Sequence, residues 1–367
     1  METEKNMKVN ICKVDNGIGY CGCALSINFG LLSKNYSING LEPYNNPSFG
    51  LLYYYNLLNC FGDDYRCILN KNNIVVLFIA TERNFADKWE NAIYLLNHSC
   101  PNAFSFERLQ GFISEYFFSV IKKNNKEYAD FKILEFSDSG KGYNLNTLLD
   151  SITETTYEEF KTLYYSILKT DYFDLSIYGN YSNIESFIDP LNAEEKLQLD
   201  IVCEKCDEGY SDKQLVINTD YYDILCSLKY HFSEDAPMTI RKAILDIDSM
   251  RVPADTRETS LDAVDASISF RPAIAGNALY KEYVVTAPNE DIYQIIREDL
   301  IAMHLNSVKE MSVNCLLDTV EMYSNGVDTE HYYAWLSKLD YDQYLAFREQ
   351  YLFEIYEGSI VSVIGAE

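Results

Sequence analysis

Histidines that could bind a metal or transfer protons are scarce in this chain, which has four of them in 367 residues. In a zinc-binding helix of the H-x-x-E-H type, two imidazoles lie on one face and the glutamate between them activates a water molecule. Only His231 is followed by carboxylates at the third and fourth positions, Glu234 and Asp235. Because Pro237 comes next, we expect an exposed turn before a helix at this point and no metal site.

Two cysteines at C-x-x-C spacing, Cys203 and Cys206, are the second candidate for metal chemistry. A structural zinc site needs four ligands, and no second pair follows at a suitable spacing. The first residues of the chain contain no apolar run of the kind found in signal peptides. We therefore expect reduced thiols, a cytoplasmic location and no metal or other cofactor bound by this chain itself.

The charge balance narrows the set of partners. The chain has 30 basic and 56 acidic residues and a net charge of −26. That charge opposes binding to nucleic acid or to an anionic membrane surface, and no apolar run is long enough to predict a membrane span. It is compatible with a basic peptide partner, and also with a protein that is simply acidic. Because 47% of the residues are hydrophobic, the chain has enough apolar side chains for two domains.

A segment in which the hydrophobic period changes, residues 155–188, indicates how functional residues are positioned. Thr156 and Glu159 have the spacing of a capping box at the start of an amphipathic helix. Apolar and polar side chains then alternate over 173–178, which predicts a half-buried strand. A glycine turn ends the strand, and another helix is predicted from Ile184. A helix, a strand and a helix of any α+β domain would give a similar pattern.

The order of elements and the residue pattern of this segment resemble those of the insulinase-like (pitrilysin) family of zinc peptidases. Family members carry a helix of this pattern, then an apolar strand, a glycine turn and a further helix. The matching positions are Thr156, Glu158, Phe160, Tyr164, Tyr172, Asp174, Leu175 to Tyr178, Gly179 and Asn180. The resemblance implies an α+β fold of two homologous domains, each an antiparallel or mixed sheet backed by helices.

The same resemblance places the zinc-binding helix at residues 50–58. Family members read G-x-x-H-x-x-E-H there. Alignment on the glycine puts Tyr53, Asn56 and Leu57 at the positions of the first histidine, the glutamate and the second histidine. These side chains can neither bind zinc in this way nor act as a carboxylate base. The resemblance therefore implies a helix that still packs but has lost the peptidase chemistry.

The third zinc ligand of that family is a glutamate on a later helix, which the sequence predicts over 104–123. Glu107 and Glu115 lie near the family positions, with imperfect spacing. Without the two histidines, we expect both carboxylates to lie on the surface of the helix.

The second half of the chain repeats the first in outline. A predicted helix over 340–351 and a strand over 360–364 echo the segment 155–179, about half a chain length later. This echo supports a duplicated architecture. The predicted divisions are a first domain, a polar linker and a second domain, at residues 1–190, 191–208 and 209–367.

Several stretches have weaker patterns. The sequence predicts polar loops over 33–48 and 253–260, a single helix over 307–325, and either strand or helix over 223–230 and 261–270.

Arg271 and Tyr280 are the candidate substrate-binding residues. With Gly276 between them, they resemble a second-domain pattern of the family in which an arginine and a tyrosine hold the peptide and stabilise the developing oxyanion. An arginine suits this role because it is always charged and donates several hydrogen bonds. The separation here is longer than is usual in the family. An arginine beside Pro272 at the end of an element, with a tyrosine in the core, explains the same residues equally well.

Two functions follow from the resemblance. In the first, this chain is the non-catalytic subunit of a heterodimeric peptidase. A zinc-bearing partner supplies the metal, and this chain supplies Arg271, Tyr280 and half of a chamber. An extended peptide, such as the leader of a ribosomally made peptide, would bind there along a sheet edge. In the second, the chain is a stand-alone peptide-binding or scaffold protein on the same fold. An unrelated α+β protein is the third interpretation.

Overall fold

The computed structural model describes most of the chain. The described residues are 9–13, 19–38, 44–70, 72–81, 83–123, 145–167, 173–179, 199–202, 214–218, 223–233, 235–251, 257–261, 265–270, 287–309, 312–352 and 360–365. Their strands form two sheets of five strands and one of three.

The strands are β1 (Val9–Cys12), β2 (Tyr20–Ile27), β3 (Asn35–Ile38), β4 (Tyr44–Asn45), β5 (Tyr65–Leu69), β6 (Ile74–Thr81), β7 (Phe173–Gly179), β8 (Leu199–Val202), β9 (Gln214–Asn218), β10 (Asp223–His231), β11 (Arg257–Leu261), β12 (Asp265–Phe270) and β13 (Ile360–Gly365). The helices are α1 (Phe49–Cys60), α2 (Phe85–His98), α3 (Ala103–Lys123), α4 (Leu145–Glu154), α5 (Tyr157–Ile167), α6 (Met238–Ser249), α7 (Glu290–Lys309), α8 (Val313–Ser324), α9 (Thr329–Leu336) and α10 (Tyr341–Tyr351).

The first large sheet has the strand order β1-β7-β2-β6-β5. It is a mixed sheet, because β7 pairs in parallel with β1 and antiparallel with β2. At its centre β6 reads Ile-Val-Val-Leu-Phe-Ile-Ala-Thr, and its first seven residues are all buried. A continuous apolar run of this kind is typical of a strand that is covered on both faces.

The second large sheet has the order β9-β13-β10-β12-β11. Here β13 pairs in parallel with β9 and antiparallel with β10. When the strands of each sheet are numbered along the chain, both sheets have the order first, fifth, second, fourth, third. The helix before the fifth strand is α5 in one sheet and α10 in the other, as the sequence echo predicted. The predicted fold class, an α+β chain with two like sheets backed by helices, is confirmed.

The chain forms two compact units, and α8 belongs to the first of them although it lies late in the sequence. The first unit comprises Met1–Phe117, Asn146–Lys205 and Glu310–Ser324, and the second comprises the remaining segments. Leu316 and Val320 of α8 pack against Ala24 and Leu77 on one face of the first sheet. A Cβ at Gly22 would lie 3.0 Å from Val320 Cγ1, so glycine allows this close approach.

Several predicted boundaries need correction. The single helix over 307–325 is wrong, because α7 ends at Lys309 and α8 begins at Val313. The predicted polar loops contain strands: β3 and β4 lie in the first loop, and most of β11 lies in the second. The two ambiguous stretches form strands.

The segment predicted as a linker, 191–208, contains β8, which pairs with β3 in the third sheet. The domain boundaries themselves stay a prediction. The helix predicted from Ile184 lies outside the described residues. Within the part of the chain that the structure describes, no helix combines the length and apolar character needed to cross a bilayer.

Candidate functional site

The candidate site centres on α1, whose start is fixed by a buried polar network. Asn46 Nδ2 donates hydrogen bonds to Thr155 Oγ1 at 2.9 Å and to Glu159 Oε1 at 3.1 Å. Ser48 Oγ donates to Asn46 Oδ1 at 2.9 Å. The predicted capping box at Thr156 is formed in one direction, since Glu159 N donates to Thr156 Oγ1 at 3.2 Å. The Glu159 carboxylate helps hold the loop before α1.

The three α1 positions aligned with the zinc motif all lie in the core. Tyr53 and Leu57 are fully buried, and Asn56 is 4% exposed. The Tyr53 ring packs against Phe29 and Tyr164, with centroid distances of 5.2 and 5.4 Å. These contacts place the ring in an aromatic cluster between α1 and α5, where an aromatic side chain contributes its full buried area.

The polar groups of these side chains are neutral, and Asn56 is held by a hydrogen bond. Asn56 Nδ2 donates to the carbonyl oxygen of Ser99 at 2.9 Å. Tyr164 Oη, which packs beside Tyr53, donates to the carbonyl oxygen of Leu96 at 2.6 Å. Both bonds connect the α1–α5 layer to the C-terminal end of α2. They fix the helix by side-chain-to-backbone hydrogen bonds.

The Tyr53 hydroxyl is buried, and no group among the described residues forms a hydrogen bond with it. Burial, with smaller contributions from Cys67, Cys60 and Cys100, raises the pKa of Tyr53 well above its ordinary value. Burial likewise raises the pKa of Cys67 to about 12 and that of Cys100 to about 11. These groups are therefore protonated near neutral pH, and they are poor nucleophiles and poor metal ligands in that state.

This donor set does not fit the zinc ion that an insulinase-like fold carries in its peptidases. In the predicted alignment, a buried phenol, an amide already hydrogen-bonded to backbone and an alkyl group stand at the positions of two imidazoles and a carboxylate. Among the residues that the structure describes, no three His, Cys, Asp or Glu side chains are arranged to hold a metal ion. Glu107 and Glu115 are exposed on α3, as predicted.

One edge of the first sheet lies beside α1. The edge strand is β5, which pairs antiparallel with β6. No other described strand pairs with β5. Arg66, an exposed residue of β5, forms an ion pair of 2.9 Å with Asp318 of α8. A free strand edge of this kind can accept an extended peptide through main-chain hydrogen bonds.

Most of the other predicted residues stay untested by the structure. Arg271, Tyr280, Cys203, Cys206 and Glu234 lie outside the described residues. The exposed turn expected at His231 is corrected, because His231 is the last residue of β10 and pairs with Asp265 of β12. None of the seven cysteines whose side chains the structure describes is part of a disulfide.

Sequence reasoning missed a buried charged group in the second unit. Arg348 Nη1 of α10 lies 2.8 Å from Asp248 Oδ2 of α6, and their side chains are 7% and 1% exposed. Tyr230 Oη donates to the same carboxylate oxygen at 2.9 Å, and Arg348 Nη1 also donates to Tyr344 Oη at 2.9 Å. The repeat of α5 by α10 could have indicated this group, because Arg348 occupies the helical position in α10 that Tyr164 occupies in α5.

Burial alone would lower the pKa of the Arg348 guanidinium, but Asp248 and the neighbouring tyrosines outweigh it and raise that pKa. Arg348 therefore stays charged. Asp248 Oδ1 is buried and has no hydrogen-bond partner among the described residues. The second unit thus contains a buried ion pair at the helical position where the first unit has the uncharged side chain of Tyr164.

Three solved structures resemble this chain over nearly its whole length. A protein described as an M16-like peptidase, from Alicyclobacillus acidocaldarius, has a TM-score of 0.70 at 11% identity, covering 100% of this chain and 97% of its own. A protease from Helicobacter pylori has a TM-score of 0.65 at 12% identity, with coverages of 99% and 98%. A peptidase M16 inactive domain from Pseudomonas fluorescens has a TM-score of 0.61 at 13% identity, with coverages of 100% and 97%.

No family model and no curated protein matches the sequence. At these low identities the structural likeness shows the fold alone, and that fold is the insulinase-like, or M16, fold. Active and inactive members are both among the similar structures, so the chemistry of this chain has to be argued from its own residues.

Proposed function

We propose that this chain is the non-catalytic subunit of a heterodimeric insulinase-like zinc peptidase. In this proposal a zinc-bearing partner subunit supplies the metal and the general base. This chain completes the chamber and binds the substrate as an extended peptide. The leader of a ribosomally made peptide is a substrate of suitable form, because it is unfolded and can lie along a strand edge.

The observation that carries the proposal is the burial of Tyr53, Asn56 and Leu57 within α1. In a zinc peptidase, these positions must direct ligands and a base toward water and substrate. Here they contribute to the core, and the thiols nearest Tyr53 are held in the protonated state by burial. In this proposal α1 packs in the core but carries none of the groups that the peptidase reaction needs.

Peptide binding is supported by the edge strand β5, which lies next to α1 and has one free side among the described strands. The predicted role of Arg271 and Tyr280, to hold the peptide and donate to the oxyanion opposite the partner's zinc, belongs to the same proposal. An arginine in that position would act only in the mixed complex, because the metal lies in the other subunit.

Reconstitution tests the proposal. The isolated chain is mixed with an insulinase-like chain that carries H-x-x-E-H, and peptide cleavage is measured for each chain and for the mixture. We expect cleavage only by the mixture. Arg271→Ala should lower the kcat of the mixture about 10²-fold, the effect of removing one oxyanion donor. Arg83→Ala, at an exposed position, is the matched control.

Full activity of the Arg271→Ala mixture would remove the proposed role of this residue. If no zinc-bearing chain co-purifies, and the isolated chain still binds extended peptides, the stand-alone peptide-binding function replaces the heterodimer.

A further inference from the structure

We draw no further inference here: the strongest candidate, the side-chain cluster of Arg66 on β5 with Asp318 and Glu321 on α8, belongs to the β5 edge already described, and because it contains both signs of charge it does not show which side chain of a bound peptide would lie beside it.

Discussion

The two units place different chemistry at the same position of the same architecture. In the first, α5 carries Phe160 and Tyr164 at its fourth and eighth residues. In the second, α10 carries Tyr344 and Arg348 at its fourth and eighth residues. Both helices precede the strand that joins the first and second strands of its sheet. The same helical positions face the core in both units.

The first unit fills this position with neutral rings. Phe160 packs against Phe49 and Phe106 at centroid distances of 5.6 and 4.9 Å, and Tyr164 donates one hydrogen bond to backbone. The second unit fills it with the Asp248–Arg348 ion pair and its tyrosines. Aromatic packing depends on shape and area, whereas a buried charge depends on every one of its partners.

The difference between the two units shows that one architecture can hold buried side chains of different chemistry. The strand order is the same in both sheets, and the helices α5 and α10 turn the same positions toward the core. The side chains at those positions differ in polarity between the two units. In the predicted alignment, the zinc-binding helix of the family corresponds to α1 of the first unit. The three aligned side chains, Tyr53, Asn56 and Leu57, are uncharged and buried, and this is the structural basis for proposing a non-catalytic chain.

The largest predicted effect follows from removing the cation of the second unit. Arg348→Met leaves the Asp248 carboxylate buried without its partner, and the free energy of unfolding should fall by about 3–5 kcal/mol. Urea denaturation at neutral pH measures it. The double variant Arg348→Met/Asp248→Asn removes both charges and should recover much of that loss. A single variant as stable as the wild type would contradict a buried ion pair.

The equivalent change in the first unit should be much smaller. Tyr164→Phe keeps the ring but leaves the Leu96 carbonyl without this hydrogen bond, which should cost about 0.5–1.5 kcal/mol in the same assay. A loss as large as that of Arg348→Met would mean that the first unit also depends on a polar network, and the contrast between the units would fail.

Tyr53→Phe, also in the first unit, should change stability in the opposite direction from Tyr164→Phe. The substitution removes a buried hydroxyl that has no partner among the described residues, so the protein should keep its stability or gain up to about 1 kcal/mol. Thermal and urea unfolding measure the change. A clear destabilisation would show that the hydroxyl has a hydrogen-bond partner after all.

The last effect is absent at neutral pH and concerns stability above pH 9. The pKa of Cys67 is raised to about 12 from 9.0, so above pH 9 the folded state holds a proton that the unfolded state loses. Stability from this group is complete below pH 9 and decreases as pH rises toward 12. Cys67→Val should therefore show a shallower loss of stability over that range than the wild type. Identical pH profiles would place Cys67 in contact with water.

The sequence predicted those elements whose period is strong. The amphipathic helix α5, the strand β7 and the echo between 155–179 and 340–365 supported the fold class that the family resemblance implied. The local pattern did not predict β5 and β11 as strands. Their sequences, Tyr-Arg-Cys-Ile-Leu and Arg-Glu-Thr-Ser-Leu, contain polar residues, as the sequences of edge strands do. Their positions are set by pairing with β6 and β12, which no local pattern records.

Long-range placement could not be read from local patterns either. An amphipathic helix shows that it has an apolar face but not which sheet it covers, so nothing in α8 placed Leu316 and Val320 on the first sheet. The ion pair between Asp248 and Arg348 spans 100 residues of sequence and depends on the register of two helices. Burial of Tyr53, by contrast, follows from its place on the apolar face of α1.

We infer from the burial of Tyr53, Asn56 and Leu57 that this chain does not itself carry the peptidase chemistry. The most direct test incubates the isolated chain with zinc, removes free metal, and measures bound zinc together with cleavage of an extended peptide. We expect no stoichiometric zinc and no cleavage above the uncatalysed rate. One zinc ion per chain, with cleavage that a chelator abolishes, would contradict it.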